Sequence, residues 1–241
     1  MSFSLLSRCG RWVGSGEEGR GGEGPPPPTA PCPAAPSWWA GRRQGRAGRG
    51  AGGLPLTERE GRAIGALLLP VLSRLAALPR VLAHRDYHSR NVMVLPGVAA
   101  ASHRNLRVLD FQDARMGNVF YDLASLLRDS YVSLPEDAVD RLCYAWRHAA
   151  SPSLRRAAGD PGAFRELLDL SALQRNVKAI GTFGNQAHTR GKRFYLRFIP
   201  PTVAHLRGNF ARNPSLRALA AKLLPLLDAL AGKALAEGGA A

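Results

Sequence analysis

The run His84-Arg85-Asp86-Tyr87-His88-Ser89-Arg90-Asn91 leads straight into Val92-Met93-Val94-Leu95. After a polar interval, Leu106-Arg107-Val108-Leu109 ends in Asp110-Phe111. The apolar runs 92–95 and 106–109 have the length and composition of strands, and the small polar residues 96–105 read as an exposed turn between them. Pairing the two runs as a hairpin returns the end of the second beside the start of the first. Asp110 then lies near Asn91, although eighteen residues separate them in the chain. A carboxylate (Asp86), an amide (Asn91) and a second carboxylate (Asp110) are thereby gathered at one end of a hairpin. Such oxygens suit a hard cation and the removal of a proton from a hydroxyl.

This spacing resembles the catalytic loop of protein kinases, H-R-D-x-x-x-x-N, followed by the D-F-G aspartate. It is closer to the aminoglycoside phosphotransferase and choline kinase superfamily, whose pattern is H-x-D-x-H-x-x-N, then a strand ending in Asp, then G-x-x-x-Y-D-L-A. His84, Asp86, His88, Asn91, Asp110, Gly117, Tyr121, Asp122, Leu123 and Ala124 match that pattern. Asp110-Phe111-Gln112-Asp113-Ala114 and Asp122-Leu123-Ala124-Ser125-Leu126-Leu127-Arg128-Asp129 resemble one branch more closely, the bacterial N-acetylmuramate/N-acetylglucosamine anomeric kinases of peptidoglycan recycling. Residues 171–183 also look like that branch. The resemblance covers roughly 56–213.

The resemblance implies an α+β fold: a protein-kinase-like large, C-terminal lobe, mostly helical, with a catalytic β-hairpin. It implies transfer of the ATP γ-phosphoryl group to a sugar hydroxyl. Asp86 is then the base, and Asn91 and Asp110 hold Mg²⁺ on the phosphates. His84 and His88 support the catalytic loop, and Asp122 braces it while also standing where it could cap the following helix. His84 and His88 lack partners at metal-ligand spacing, so they are not read as ligands. Gln174, Arg175 and Lys178 line a sugar pocket on the resemblance; on periodicity alone they are a solvated helix face. Asp113 reads equally as a carboxylate near metal or substrate and as a solvated loop acid. Arg85 stands where the broad family often has Gly.

The 241 residues carry 33 Lys plus Arg against 18 Asp plus Glu, a net charge of +15. That excess could signal nucleic acid. Its scatter, and the joint abundance of Ala, Gly, Pro and Arg, argue instead for compositional bias, and the reading is against a nucleic-acid partner. Cys9, Cys32 and Cys143 are sparse, odd in number and lack zinc spacing, which fits a reducing cytoplasm. No apolar run approaches the ~18 residues that would span a membrane.

Residues 1–53 hold half of the 26 glycines, the run Pro25–Pro28 and an Arg/Gly tract at 41–53. They read as a low-complexity, disordered leader. Gly14-Ser15-Gly16-Glu17-Glu18-Gly19 has the form G-x-G-x-x-G but neither a strand before it nor a helix after it, so it is not read as a phosphate loop. Residues 56–241 form the lobe. Thr57 and Glu60 make a capping-box pattern ahead of a helix that Pro70 should kink or split. Leu123–Tyr131, Pro135–Trp146, 164–183, 202–211 and 215–234 carry helical periodicity, with Pro225 interrupting the last.

No Lys precedes Lys178, and no strand of the V-A-I-K kind precedes Asp86. The β-rich small lobe that clamps ATP is therefore expected to be absent. The first reading is a sugar phosphotransferase; the alternative is a truncated, weakly active or inactive remnant that binds small molecules.

Overall fold

The structure, a computed structural model, describes residues 57–95 and 105–238. The stretch read as a leader, with its glycine pattern and Trp38-Trp39, lies outside the described residues, as does most of the hairpin turn. The described residues are mainly helical, with two small antiparallel sheets.

Helix α1 spans Glu58–Ala76 and starts where the capping box sets it. The Thr57 N–H donates to Glu60 Oε2 at 2.8 Å, and the Glu60 N–H donates to Thr57 Oγ1 at 3.2 Å. Pro70 neither ends nor splits this helix. Its ring faces solvent, so the carbonyl it leaves unbonded can turn to water, while Ile64, Val71 and Leu75 bury on both sides of it. Three buried apolar side chains outweigh a proline cost of ~3 kcal/mol, at ~1.5–3 kcal/mol each.

Strand β1 (Arg80–Ala83) feeds the His84–Asn91 loop, which closes in a 3₁₀ turn at Ser89–Asn91. Strands β2 (Val92–Val94) and β3 (Leu106–Val108) form the expected hairpin, in the register Val92 to Val108. A second pairing, not anticipated from the sequence, joins β1 to β4 (Arg115–Asn118), with Val81 opposite Gly117. A Cβ on Gly117 would stand 3.0 Å from the Cβ of buried Ala83, so this position leaves no room for a side chain unless Ala83 shifts.

Helices α2 (Tyr121–Leu127), α3 (Glu136–Ala149) and α4 (Pro152–Ala158) lead to α5 (Pro161–Thr189). Asp160 caps α5 by accepting the Ala163 N–H at 2.8 Å, and Pro161 sits in the first turn. Helix α5 is the spine. Phe164, Leu167, Leu168 and Ala172 enter one apolar cluster, with Phe120, Ala124 and Val139. Leu170, Leu173, Ile180 and Phe183 enter the other, with α1, α6 (Ile199–Arg212) and α7 (Arg217–Gly238). Helix α7 runs through solvent-facing Pro225 as α1 runs through Pro70, between buried Leu223 and Leu227. None of the helices is long and apolar enough to cross a membrane among the described residues.

The spine also carries a buried charge. Asp169 accepts from Arg212 Nε at 2.9 Å and Nη2 at 2.8 Å, and from Asn213 Nδ2 at 3.0 Å. Arg212 is partly open to solvent, whereas Asp169 and Asn213 are not. Asp169→Ala should therefore lower unfolding free energy by roughly 2–4 kcal/mol, by stranding one of the two Asn213 Nδ2–H groups, the other being held by the Asn209 carbonyl, and by removing the partner of Arg212. Urea denaturation of the purified chain measures this; a loss under ~0.5 kcal/mol would mean that the network is not a structural tie.

Candidate active site

The loop between β1 and the hairpin is held almost wholly through its backbone. The Asp122 carboxylate, in the first turn of α2, accepts the His84 N–H at 2.6 Å and the Arg85 N–H at 2.9 Å. The Asp129 carboxylate, buried just after α2, accepts the Ser89 N–H at 2.8 Å and the Tyr131 N–H at 2.9 Å. Between these anchors, the Asp86 carbonyl accepts the His88 N–H at 3.1 Å and the Asn91 side-chain amide at 3.0 Å. The Leu109 N–H then closes on the Asn91 carbonyl at 2.9 Å, which ties the loop to the strand that delivers Asp110.

The two loop histidines have different partners. His84 Nε2 donates to the Leu109 carbonyl at 2.8 Å, which fixes its tautomer as the Nε2–H form. His88 packs edge-on against Tyr131, ring centroids 5.0 Å apart. Burial holds its imidazole below the ordinary histidine range, so it is neutral at pH 7. Arg90 holds the loop through aromatic rings and not through hydrogen bonds: its guanidinium carbon lies 4.1 Å from the centre of Tyr131 and 4.9 Å from that of Phe198.

With the backbone occupied, several side-chain oxygens stay open. The Asp86 carboxylate is exposed and meets no donor among the described residues. Asn91 spends its amide nitrogen on the loop and leaves its Oδ1 without a donor among them. Asp110 is exposed; its Oδ1 accepts from the Gln112 amide, and Oδ2 stays open. Arg85 and Asp110 both take positive φ, 76° and 65°. That conformation is unfavourable for residues with a Cβ, at ~1–3 kcal/mol each, and is tolerated best by Gly, Asn and Asp.

The remaining candidates separate. Asp113 is exposed, and Arg115 Nη2 stands 3.9 Å from it. Lys178 reaches back from α5 to the hydroxyl of Tyr121 at 3.4 Å, beside Asp122. Gln174 is half-buried, and its Oε1 has no donor among the described residues. Arg175 is not brought to this surface. It is buried, and its Nη1 donates to Ser130 Oγ at 3.0 Å and Asn176 Oδ1 at 3.1 Å, with the Arg128 carbonyl at 3.4 Å. Asp129 was not singled out from the sequence. Its signal is a polar Arg128-Asp129-Ser130 directly after the apolar helix α2, a place where a buried acid needs backbone donors.

A shallow concavity of about 310 Å³ lies beside the loop, lined by Leu82, His84, Tyr87, Phe111, Ala114 and Asp122. Apolar side chains stay exposed around it. Leu82 and Phe111 are each about two-thirds or more exposed, and Val94, Leu106 and Met116 are exposed nearby in the strands. No group of three or more His, Cys, Asp or Glu positioned for a metal occurs among the described residues.

The description "Phosphotransferase enzyme family" matches residues 24–159, more than half of the chain. That match begins inside the stretch read from composition as a leader. The chain is also similar to proteins named N-acetylmuramate/N-acetylglucosamine kinase. One from Pseudomonas putida is 34% identical over 190 residues, covering 76% of this chain and 50% of the relative. One from Pseudomonas aeruginosa is 38% identical over 152 residues, 61% of this chain and 42% of the relative. One from Neisseria meningitidis serogroup B is 33% identical over 200 residues, 80% and 53%. The chain spans about half the length of the curated relatives it matches.

Two substitutions probe how the loop is held. Asp122→Ala removes the acceptor for two loop N–H groups and should cost about 1–3 kcal/mol of stability. Arg85→Gly relieves the positive φ while keeping the N–H donor, and should leave stability unchanged or raise it by up to ~1 kcal/mol. Denaturant midpoints of the two variants test both; a glycine variant as unstable as the alanine variant would show that the Arg85 side chain, and not its backbone, holds the turn.

Proposed function

Because this chain belongs to the phosphotransferase enzyme family, we propose that it carries the catalytic half of an ATP-dependent sugar kinase. The acceptor class is an N-acetylated hexosamine, N-acetylmuramate or N-acetylglucosamine, in keeping with the names of the relatives. The observation that carries the reading is the state of Asp86: an exposed, unpartnered carboxylate on a loop whose backbone is held by Asp122, Asp129 and the Asn91 amide.

On this reading Asp86 accepts the proton of the acceptor hydroxyl. That oxygen forms the new bond to the γ-phosphorus of ATP, and the bond to the ADP oxygen breaks. Asn91 Oδ1 and Asp110 would hold Mg²⁺. Both are hard oxygen donors left open by the local hydrogen bonding, and two protein ligands with phosphate and water completing the shell is an ordinary Mg²⁺ set. When bound, the ion neutralises charge on the phosphates. Lys178, held to Tyr121 beside Asp122, and half-buried Gln174 remain candidates for the acceptor side. Asp113 is proposed only as a solvated acid, and Arg175 as a buried support. A cytoplasmic setting and a division into a 1–53 leader and a 56–241 lobe belong to the same proposal.

A second reading is favoured by a separate observation. The described strands make two two-stranded sheets within 80–118, and apolar side chains around the concavity are uncovered. This is the surface that a nucleotide-clamping lobe would close. The chain then binds its ligands and turns over slowly or not at all by itself.

Both readings are separated by ATP consumption with N-acetylmuramate and N-acetylglucosamine. The purified chain should run far below the ~1–100 s⁻¹ typical of kinases, and Asp86→Ala should cut any sugar-dependent rate ~10²–10⁴-fold with little change in KM. Turnover at the ordinary rate would remove the second reading. Residual activity indifferent to Asp86→Ala would remove the first.

A further inference from the structure

From residue 170 to residue 227 the chain contains ten basic residues and no Asp or Glu. Several of those cations are engaged elsewhere. Arg175 is turned inward, Arg193 pairs with Glu237 at 3.4 Å, Arg207 with Asp228 at 2.5 Å, and Arg212 with Asp169. Three of the others stand open at the end of α5 and in the segment that follows it. Arg190, Lys192 and Arg197 are exposed and meet no carboxylate among the described residues. Arg190 and Lys192 precede a 3₁₀ helix, Arg193–Phe198, entered through Gly191 at φ 69°, and Arg197 lies within it.

This segment meets the His84–Asn91 loop through two aromatic rings, Phe194 and Phe198. Phe194 is 49% exposed, enough to offer a face to a ligand. The guanidinium of Arg197 lies 4.2 Å from its centre, and that of Arg90, four residues along the loop from Asp86, lies 5.6 Å from it. Arg90 also has no carboxylate partner among the described residues. An exposed ring attended by two unpaired guanidiniums, in a stretch of chain empty of acids, has a definite chemical preference. The ring can stack on the apolar face of a pyranose. The guanidiniums want an anion, and the planar fork of arginine matches a carboxylate.

We propose that Phe194, Arg197 and Arg90 form an anion-reading subsite for the acceptor, which selects a hexosamine bearing a carboxylate over its neutral counterpart. The proposal rests on the sugar-kinase reading above and deepens it. N-Acetylmuramate carries such a carboxylate on its lactyl ether, and N-acetylglucosamine does not, so the pair is a built-in probe. Arg90 is already fixed on Tyr131 and Phe198, which makes it the rigid member. Arg197 is the open member, and the one to test.

The experiment is calorimetric titration of the full 241-residue chain with each sugar at low salt, for the unaltered protein, Arg197→Gln and Phe194→Ala. N-Acetylmuramate should bind the unaltered protein about fivefold more tightly than N-acetylglucosamine, the scale of a partly exposed charge pair. Raising salt should narrow that gap. Arg197→Gln should erase most of the preference and leave N-acetylglucosamine affinity within about twofold, because only a charge is lost. Phe194→Ala should weaken both sugars. Equal affinity of the two sugars for the unaltered protein, or a loss in Arg197→Gln that falls on both alike, overturns the subsite and leaves the kinase reading standing. Binding of neither sugar overturns the acceptor assignment and the subsite with it.

Discussion

The Asp122 carboxylate is the constraint on which the His84–Asn91 loop depends. It receives two consecutive backbone N–H groups, those of His84 and Arg85, at the point where β1 gives way to the loop. The chain there adopts a positive φ at Arg85, a conformation that a non-glycine residue does not keep without support. The charge-assisted bonds that Asp122 accepts supply that support and are stronger than neutral ones. Asp122 is in turn fixed by its place in the first turn of α2, which is anchored by Phe120, Ala124 and Leu127 in one of the two apolar clusters. Core packing is thus converted into loop geometry through one side chain.

The loop motif and the hairpin were legible in the sequence because their signals are local. Val92–Val94 and Leu106–Val108 are short apolar runs with a polar interval, and they pair in the register that returns Asp110 toward Asn91. The family pattern was equally readable, since His84, Asp86, Asn91, Asp110 and Asp122 fall at fixed spacing. The β1–β4 pairing was not. Arg80–Ala83 and Arg115–Asn118 lack alternation, and 31 residues intervene. The clue was Gly117, whose missing Cβ makes room for Ala83. The break suggested by Pro70 and Pro225 does not occur. A proline rule drawn from isolated helices overstates the break when the ring faces solvent and the core holds both flanks.

Side chains on α5 show where periodicity alone runs out. Gln174, Arg175 and Lys178 are near neighbours on one helix, yet they face different surroundings. Arg175 is buried against Ser130 and Asn176, while Lys178 meets Tyr121 at the edge of the loop. Gln174 and Lys178 stand one turn apart on one face, whereas Arg175 is turned about 100° round the helix from Gln174, toward the buried side. Asp129 presents the complementary case: one buried acid, unremarkable in composition, that holds both Ser89 and Tyr131.

The division of labour within the loop bears on what such a site can do. Backbone groups, the His84 ring and the Asn91 amide nitrogen take the structural hydrogen bonds, and Asp86, Asn91 Oδ1 and one oxygen of Asp110 are left open. Groups fixed before the substrate arrives need no reorganisation in the transition state, which is the condition for electrostatic stabilisation. The strength of that stabilisation depends equally on excluding water, because the same charge pair is worth several times more at low dielectric. Leu82, Phe111 and Met116 stand uncovered around an open concavity beside this loop. Exposed apolar side chains clustered beside a polar loop are the kind of patch that marks an interaction surface.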